Sequence, residues 1–361
     1  MRVFHGLLIS VIVALFTSSA GFAQTAAPDP GAILQAWLAS PHAQSASEAF
    51  RHWDDDGEIP GTCAVCHSTT GVVDYLASPM TQAGVLDHPV PTGTTVECAA
   101  CHDPGVQNLT AVVFPSGTSV PVSGSSAVCS VCHQGRASVV QVDAALAGLP
   151  DDEVSTDLGF INVHYAAAAA TQLGGTVRGG YEYDGQSYVG AFQHVPTANT
   201  CASCHDPHES SVSLETCTTC HEGATTLRAI RTSTLDFLGD GDTTTGIASV
   251  IDALHLRLGD AIMRYAGGVS DAPIVYSSDA YPYFFNDLNA DAVADGPEAI
   301  FPNRYQSWTP RLLRAAYNYQ YVAKDHGAFA HNPHYVIQLM YDSLSDLAAV
   351  TDVDMDGLVR P

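Results

Sequence analysis

Lysine is almost absent from this chain. Among 361 residues only Lys324 carries an ammonium side chain, and 13 basic residues face 38 acidic ones, for a formal charge of −25. So anionic a surface repels nucleic acid and anionic membranes, and no nucleic-acid partner is expected. Beyond the first two dozen residues no apolar run approaches the roughly 20 residues a membrane helix needs, so no integral membrane segment is expected. Cysteine occurs in one repeated pattern and nowhere else. That leaves no thiol for a disulfide framework or a lone thiol nucleophile.

The one early apolar run, Leu7 to Phe16, follows Arg2 and leads to small residues ending at Ala23. A charged start, a short apolar stretch and a small-residue cleavage zone are expected to form an export signal over residues 1–23. A mature chain in the periplasm or outside the cell follows from it.

The repeated pattern is Cys-x-x-Cys-His, present five times: Cys63, Cys66 and His67; Cys98, Cys101 and His102; Cys129, Cys132 and His133; Cys201, Cys204 and His205; Cys217, Cys220 and His221. Each copy reads as a covalent haem c attachment site. The two thiols add to the two vinyl groups of one haem, and the adjoining imidazole becomes the proximal iron ligand. A zinc ribbon joins cysteine pairs two by two, and five is odd. A thioredoxin-like redox motif would occur once. Neither explains a histidine after every pair, so five covalently bound haems c are expected.

The first cysteines are spaced 35, 31, 72 and 16 residues apart (63 to 98, 98 to 129, 129 to 201, 201 to 217). These intervals suggest two runs of haems, one to three and four to five. Residues 24–230 hold all five motifs and are expected to form a pentahaem domain whose core is built largely by the covalent haems. Residues 231–361 carry helical signals instead. Ile247, Val250, Ile251, Leu254, Leu258 and Ile262 mark one helix face, while Thr309-Pro310 and Asn332-Pro333 announce two further helix starts. In the long interval, Ala166 to Ala170 reads as helix ending at Gly174-Gly175. Asp184-Gly185 between aromatic flanks reads as a short hairpin. The expected fold is therefore mainly α with much irregular structure, a short β-hairpin and a C-terminal helical region.

Of the 16 histidines, one lies in the leader and five in the motifs, which leaves ten. Five six-coordinate irons need five of them. With only five methionines including Met1, methionine ligation is no general solution. Besides the five motifs, Ser40-Pro41-His42-Ala43, Cys204-His205-Asp206-Pro207-His208 and Ala330-His331-Asn332-Pro333 resemble exported multihaem cytochromes c. The wider group includes octahaem tetrathionate reductases, hydroxylamine oxidoreductases and ammonia-forming nitrite reductases. The resemblance implies that histidines in such short elements serve as distal ligands. The expected distal set is His42, His164, His194, His208 and His331, with His52, His88 and His334 in reserve and His255 and His326 structural. Ammonia-forming nitrite reductases typically carry a Cys-x-x-Cys-Lys site, and none exists here.

One acidic loop has calcium-ligand spacing. Asp287, Asn289, Asp291, Asp295 and Glu298 occupy positions 1, 3, 5, 9 and 12, with the Val293 carbonyl at position 7. Ala292 stands where glycine is usual. Shorter acidic runs recur around Asp236, Asp240 and Asp242 and at Asp352, Asp354 and Asp356.

Together these features point to an electron carrier working through mostly bis-histidine haems, with redox proteins or an extracellular acceptor as partners. Two other readings are an oxidoreductase acting on a small nitrogen or sulfur compound at one five-coordinate haem, and the subunit of a conductive filament or homo-oligomer.

Overall fold

The structure is a computed structural model that describes residues 29–77, 86–122 and 124–361. The expected export signal lies outside the described residues.

Each motif begins on a short helix: Gly61–His67, Cys98–His102, Ser125–Cys132, Cys201–Cys204 and Leu214–Thr218. Residues i, i+3 and i+4 share one face of a helical turn, so in Gly61–His67 and Cys98–His102, where the helix runs through the whole motif, both thiols and the imidazole emerge on the same side. Helix Thr69–Ala77 packs directly on Gly61–His67. A Cβ on Gly71 would lie 2.2 Å from the Ala64 carbonyl oxygen, so only glycine permits that approach at the first motif.

The C-terminal region holds three long helices, Ile247–Gly268, Pro310–Ala323 and Pro333–Ala348, each packed on the other two. Their starts follow the sequence signals. The Thr309 hydroxyl accepts a hydrogen bond from the Leu312 amide at 3.2 Å, and the Asn332 side chain accepts from Tyr335 at 3.2 Å. Ile247, Val250, Ile251, Leu254, Leu258 and Ile262 are all buried, as one face of the first helix. Burial of such side chains stabilises by about 1.5–3 kcal/mol each. Trp308, Tyr265, Tyr317, Tyr321 and Tyr335 are among the largest fully buried side chains.

The segment around residues 160–190 lies along these helices. Asn318, Gln320 and Gln338 are buried polar residues in otherwise apolar helix faces. Asn318 Oδ1 accepts from the Tyr181 amide at 2.7 Å while its Nδ2 donates to the Tyr181 carbonyl at 2.9 Å. Gln320 accepts from Val163 and Gln338 from Val189, both at 2.9 Å.

These contacts correct the hairpin expectation. A tight turn does form at Asp184-Gly185, with Gly185 at φ +79° and a 3.2 Å bond from the Gln186 amide to the Tyr183 carbonyl. No strands flank it, because helix side chains take the backbone groups that a ladder would use. The alanine-rich helix spans Ala168–Leu173, starting late because His164 and Ala166 adopt left-handed φ of +67° and +58°. The regular strands of the described residues form four short antiparallel pairs, Glu58–Ile59 with Val90–Pro91, Ala111–Val113 with Ser119–Pro121, His205–Asp206 with Ser211–Val212, and Ile274–Tyr276 with Phe284–Asn286.

Candidate functional site

Every motif histidine faces one histidine from elsewhere in the chain. The ring centres of His67 and His164 are 5.8 Å apart, those of His102 and His208 6.2 Å, and those of His133 and His42 6.3 Å. His205 and His331 are 6.2 Å apart, His221 and His194 5.8 Å. A metal–imidazole bond is about 2.0–2.1 Å and a ring centre sits roughly 1.2 Å behind its nitrogen, so one metal between two imidazoles puts their centres roughly 6.4 Å apart. Any one such distance is also ordinary for aromatic side chains. The pairing is what discriminates: among the described residues these are all the histidine–histidine ring pairs, and each joins one motif residue to one non-motif residue.

The local chain explains how each facing histidine is held. His42 lies in the single turn Pro41–Ala43, whose position is fixed by Ser40 donating to the Trp37 carbonyl at 2.8 Å. Trp37 in turn donates to the Val96 carbonyl at 2.9 Å, and the Val96 amide donates to the His42 carbonyl at 3.2 Å. In Cys204-His205-Asp206-Pro207-His208, Asp206 Oδ1 accepts from the amides of His208 and Glu209 at 2.8 and 3.1 Å. That turn sends His205 toward His331 and His208 toward His102. His164 holds its left-handed backbone with its amide donating to Asn162 Oδ1 at 2.9 Å.

Two pairs have visible orienting partners. His67 donates from Nδ1 to the Ala49 carbonyl at 2.8 Å. His331 Nδ1 lies 2.8 and 2.9 Å from the two oxygens of Asp325, a carboxylate that is itself buried. Fixing Nδ1 leaves Nε2 free to coordinate a metal and raises its donor strength. No sequence signal marked Asp325 or Ala49, since each is brought in by tertiary packing.

Burial lowers the pKa of His42, His67 and His205, and holds His133 and His164 down to about 4. These rings keep their lone pairs at neutral pH, as metal ligands must. Burial is the largest single influence on His331 and acts the same way, but the hydrogen bond and charge of Asp325, with the charge of Cys201, together outweigh it and the net shift is upward.

The remaining histidines are occupied differently. His52 pairs with Glu48 at 2.8 Å and His88 with Asp87 at 2.7 Å. His255 donates to the Tyr319 carbonyl at 2.9 Å, and His334 packs on Phe237. Lys324, remote from every motif in sequence, sits over the rings of Tyr165 and Tyr283, beside His164.

The motifs also meet one another. Cys66 of the first donates to the Val131 carbonyl at 3.9 Å and Cys132 of the third to the Val65 carbonyl at 3.8 Å, while the helices carrying the third and fourth motifs, Ser125–Cys132 and Cys201–Cys204, pack together. Helix Cys98–His102 packs on Ser125–Cys132. Cys204 and Cys217 are near enough for the charge of one to disfavour ionisation of the other. The third motif thus touches the first, second and fourth, so the 72-residue interval does not separate two runs in space.

Of the acidic loops, 287–298 gathers one carboxylate oxygen from each of Asp287, Asp291 and Glu298 within 4.8 Å. Around Asp236 the carboxylates instead cap the amides of Gly239 and Gly241, and Asp242 caps Thr244 and Thr245. That loop packs by Gly239 against Gly357 of the tail, where a Cβ would come within 2.4 Å.

No helix of the described residues is long and apolar enough to cross a membrane. No family model and no solved structure matches the chain. It is 26% identical over 348 aligned residues to the C-type polyheme cytochrome OmcB of Geobacter sulfurreducens, covering 82% of this chain and 45% of that one. To OmcC of the same species it is 28% identical over 346 residues, covering 81% and 43%. The chain therefore spans less than half the length of these curated relatives. Nothing in the comparisons singles out the tetrathionate reductase, hydroxylamine oxidoreductase or nitrite reductase group. Over four-fifths of its length the chain is similar to polyhaem c-type cytochromes.

Proposed function

We propose that this is an exported pentahaem cytochrome that passes electrons between redox partners through five haems, each held between two imidazoles. The observation that carries this reading is the one-to-one facing of motif and non-motif histidines. Haem 1 would be held by His67 and His164, haem 2 by His102 and His208, haem 3 by His133 and His42, haem 4 by His205 and His331, and haem 5 by His221 and His194. When bound, haem supplies the Fe(III)/Fe(II) couple. The chain's own contribution is to anchor the thioethers, fix both axial nitrogens and limit water access, which together set potential.

Contact between motifs supports a connected path. Motif three adjoins one, two and four, and motif four adjoins five, so electrons entering near the first or second motif would reach the fifth through the third and fourth. Residues 24–230 would form the haem-bearing part and residues 231–361 a helical part fastened to it through His331. Export to the periplasm or cell exterior would follow from the export signal expected over residues 1–23 and would suit haem c attachment. Five facing pairs leave no motif histidine without an opposite imidazole, which favours a carrier over an enzyme with an open iron.

Intact-mass measurement of the exported protein tests the haem number. Five haem increments on a chain starting near Gln24 are expected. Fewer increments, or a haem-free chain that folds, would contradict the reading.

A further inference from the structure

We infer that the loop from Asp287 to Glu298 is a calcium site that clamps the strand pair Ile274–Tyr276/Phe284–Asn286 to the turn entering the helix at Pro310. The inference does not rest on the haem assignment.

Glu298 decides the matter. Its side chain is only 2% exposed, and while Oε1 accepts from the Leu288 amide at 2.7 Å, Oε2 is buried with no hydrogen-bond partner. Asp287 has the same defect: Oδ2 accepts from Ala292 at 3.0 Å, and Oδ1 is buried without a partner. A buried carboxylate oxygen lacking a donor or counter-charge is strongly disfavoured. Here two occur in one cluster with Asp291, oxygens within 4.8 Å. The nearest cation in sequence is engaged elsewhere, since Arg304 stacks over Phe301 at 4.6 Å and donates to its carbonyl. A bound cation satisfies both orphan oxygens and removes the repulsion among three carboxylates.

The donor set selects the ion. Side-chain oxygens of Asp287, Asn289, Asp291, Asp295 and Glu298 and the Val293 carbonyl are all hard ligands, with no nitrogen or sulfur among them. Up to six such donors on an irregular loop suit calcium, whereas magnesium demands a tight octahedron and keeps its waters. Asp295 Oδ1 accepts from the Glu298 amide at 3.2 Å, and Asp295 stands outside the three-carboxylate cluster. Position 9 of such loops commonly ligates through water. Ala292, where glycine was expected, takes the left-handed conformation at φ +61°, so the turn forms despite its Cβ.

Calcium joins position 1, just after the strand at Phe284–Asn286, to position 12. Asn303 Nδ2 extends the tie, donating to the carbonyls of Glu298 at 3.0 Å and Asn286 at 2.9 Å. The ion is therefore a structural clamp.

The test uses the full-length haem-loaded protein, stripped with chelator and titrated with calcium chloride by calorimetry, beside Glu298→Gln and the exposed-site variant Asp291→Asn. The parent should bind calcium at this loop and melt several degrees higher with calcium at a hundred times its dissociation constant, a stabilisation of about 2.7 kcal/mol. Haem spectra should stay the same. Both variants should bind at least tenfold more weakly, and Asp291→Asn, whose side chain is exposed, should still fold. No heat of binding to the parent, equal binding by both variants, or equal response to magnesium would each overturn the assignment.

Discussion

Replacing His331 by alanine should convert one haem in five from low to high spin and leave the other four unchanged. His331 closes the short helix Ala328–His331 just before the Asn332 cap, and its ring faces His205 across 6.2 Å. The ring folds back over Gly327, where a Cβ would come within 2.6 Å of Cε1, so this position has room only for glycine. Asp325 fixes the remaining nitrogen. Removing the imidazole would delete the proposed second ligand, and among the described residues no other histidine is paired to His205. The oxidised variant should show a high-spin signal equal to one-fifth of its haem, and the reduced variant should bind carbon monoxide at that site. Asp325→Asn provides the graded companion: the site stays low-spin, but a less basic imidazole raises the potential of one haem. Spectra of His331→Ala that match the parent in both oxidation states would refute the ligand role.

The second large effect is expected at Arg311. Its side chain is buried between two parts of the chain, donating to Asp152 at 2.7 and 3.2 Å and pairing with Asp346. Asp152 also accepts from the Tyr265 hydroxyl at 2.8 Å, and the Arg311 amide donates to the Asp151 carbonyl at 3.0 Å. This cluster fastens the interval between motifs three and four onto the C-terminal helices. Arg311→Met keeps the volume but leaves Asp152 without its cation, while Asp346 keeps Arg314 at 3.3 Å. Breaking one side of a buried pair costs about 3–5 kcal/mol, and because Asp152 is a third exposed the loss should fall near the low end.

Arg311→Lys should recover only part, since an ammonium cannot span both Asp152 oxygens as the planar fork does. The Arg311 hydrogen bond holds the Asp152 carboxyl below its usual range. The stability it contributes is therefore present above that range and lost as pH falls through the lowered pKa. Arg311→Met should flatten that part of the acid limb. An unchanged melting transition in the variant would show that the cluster carries no stability.

What could be read beforehand was what local chemistry dictates. Cys-x-x-Cys-His works within one helical turn, and Thr309-Pro310 and Asn332-Pro333 act on the next few residues. His42, His208 and His331 stood out because their short elements resemble those of exported multihaem cytochromes c. What could not be read was which histidine faces which motif. His208 stands three residues after the fourth motif yet turns to the second, because Asp206 caps the intervening turn. The Asp184-Gly185 turn was legible, but the ladder was not, because Asn318 and Gln338, far along the chain, compete for its backbone. Asp325 and the Ala49 carbonyl left no local trace. Lys324 looked remote from every motif and lies beside His164.

Electron paramagnetic resonance of the oxidised, haem-loaded protein, integrated against haem content, tests most directly whether every iron is held between two imidazoles. Five low-spin ferric haems and no high-spin signal are the expected result. A high-spin signal amounting to one haem or more in the native protein would contradict it and point to an open iron.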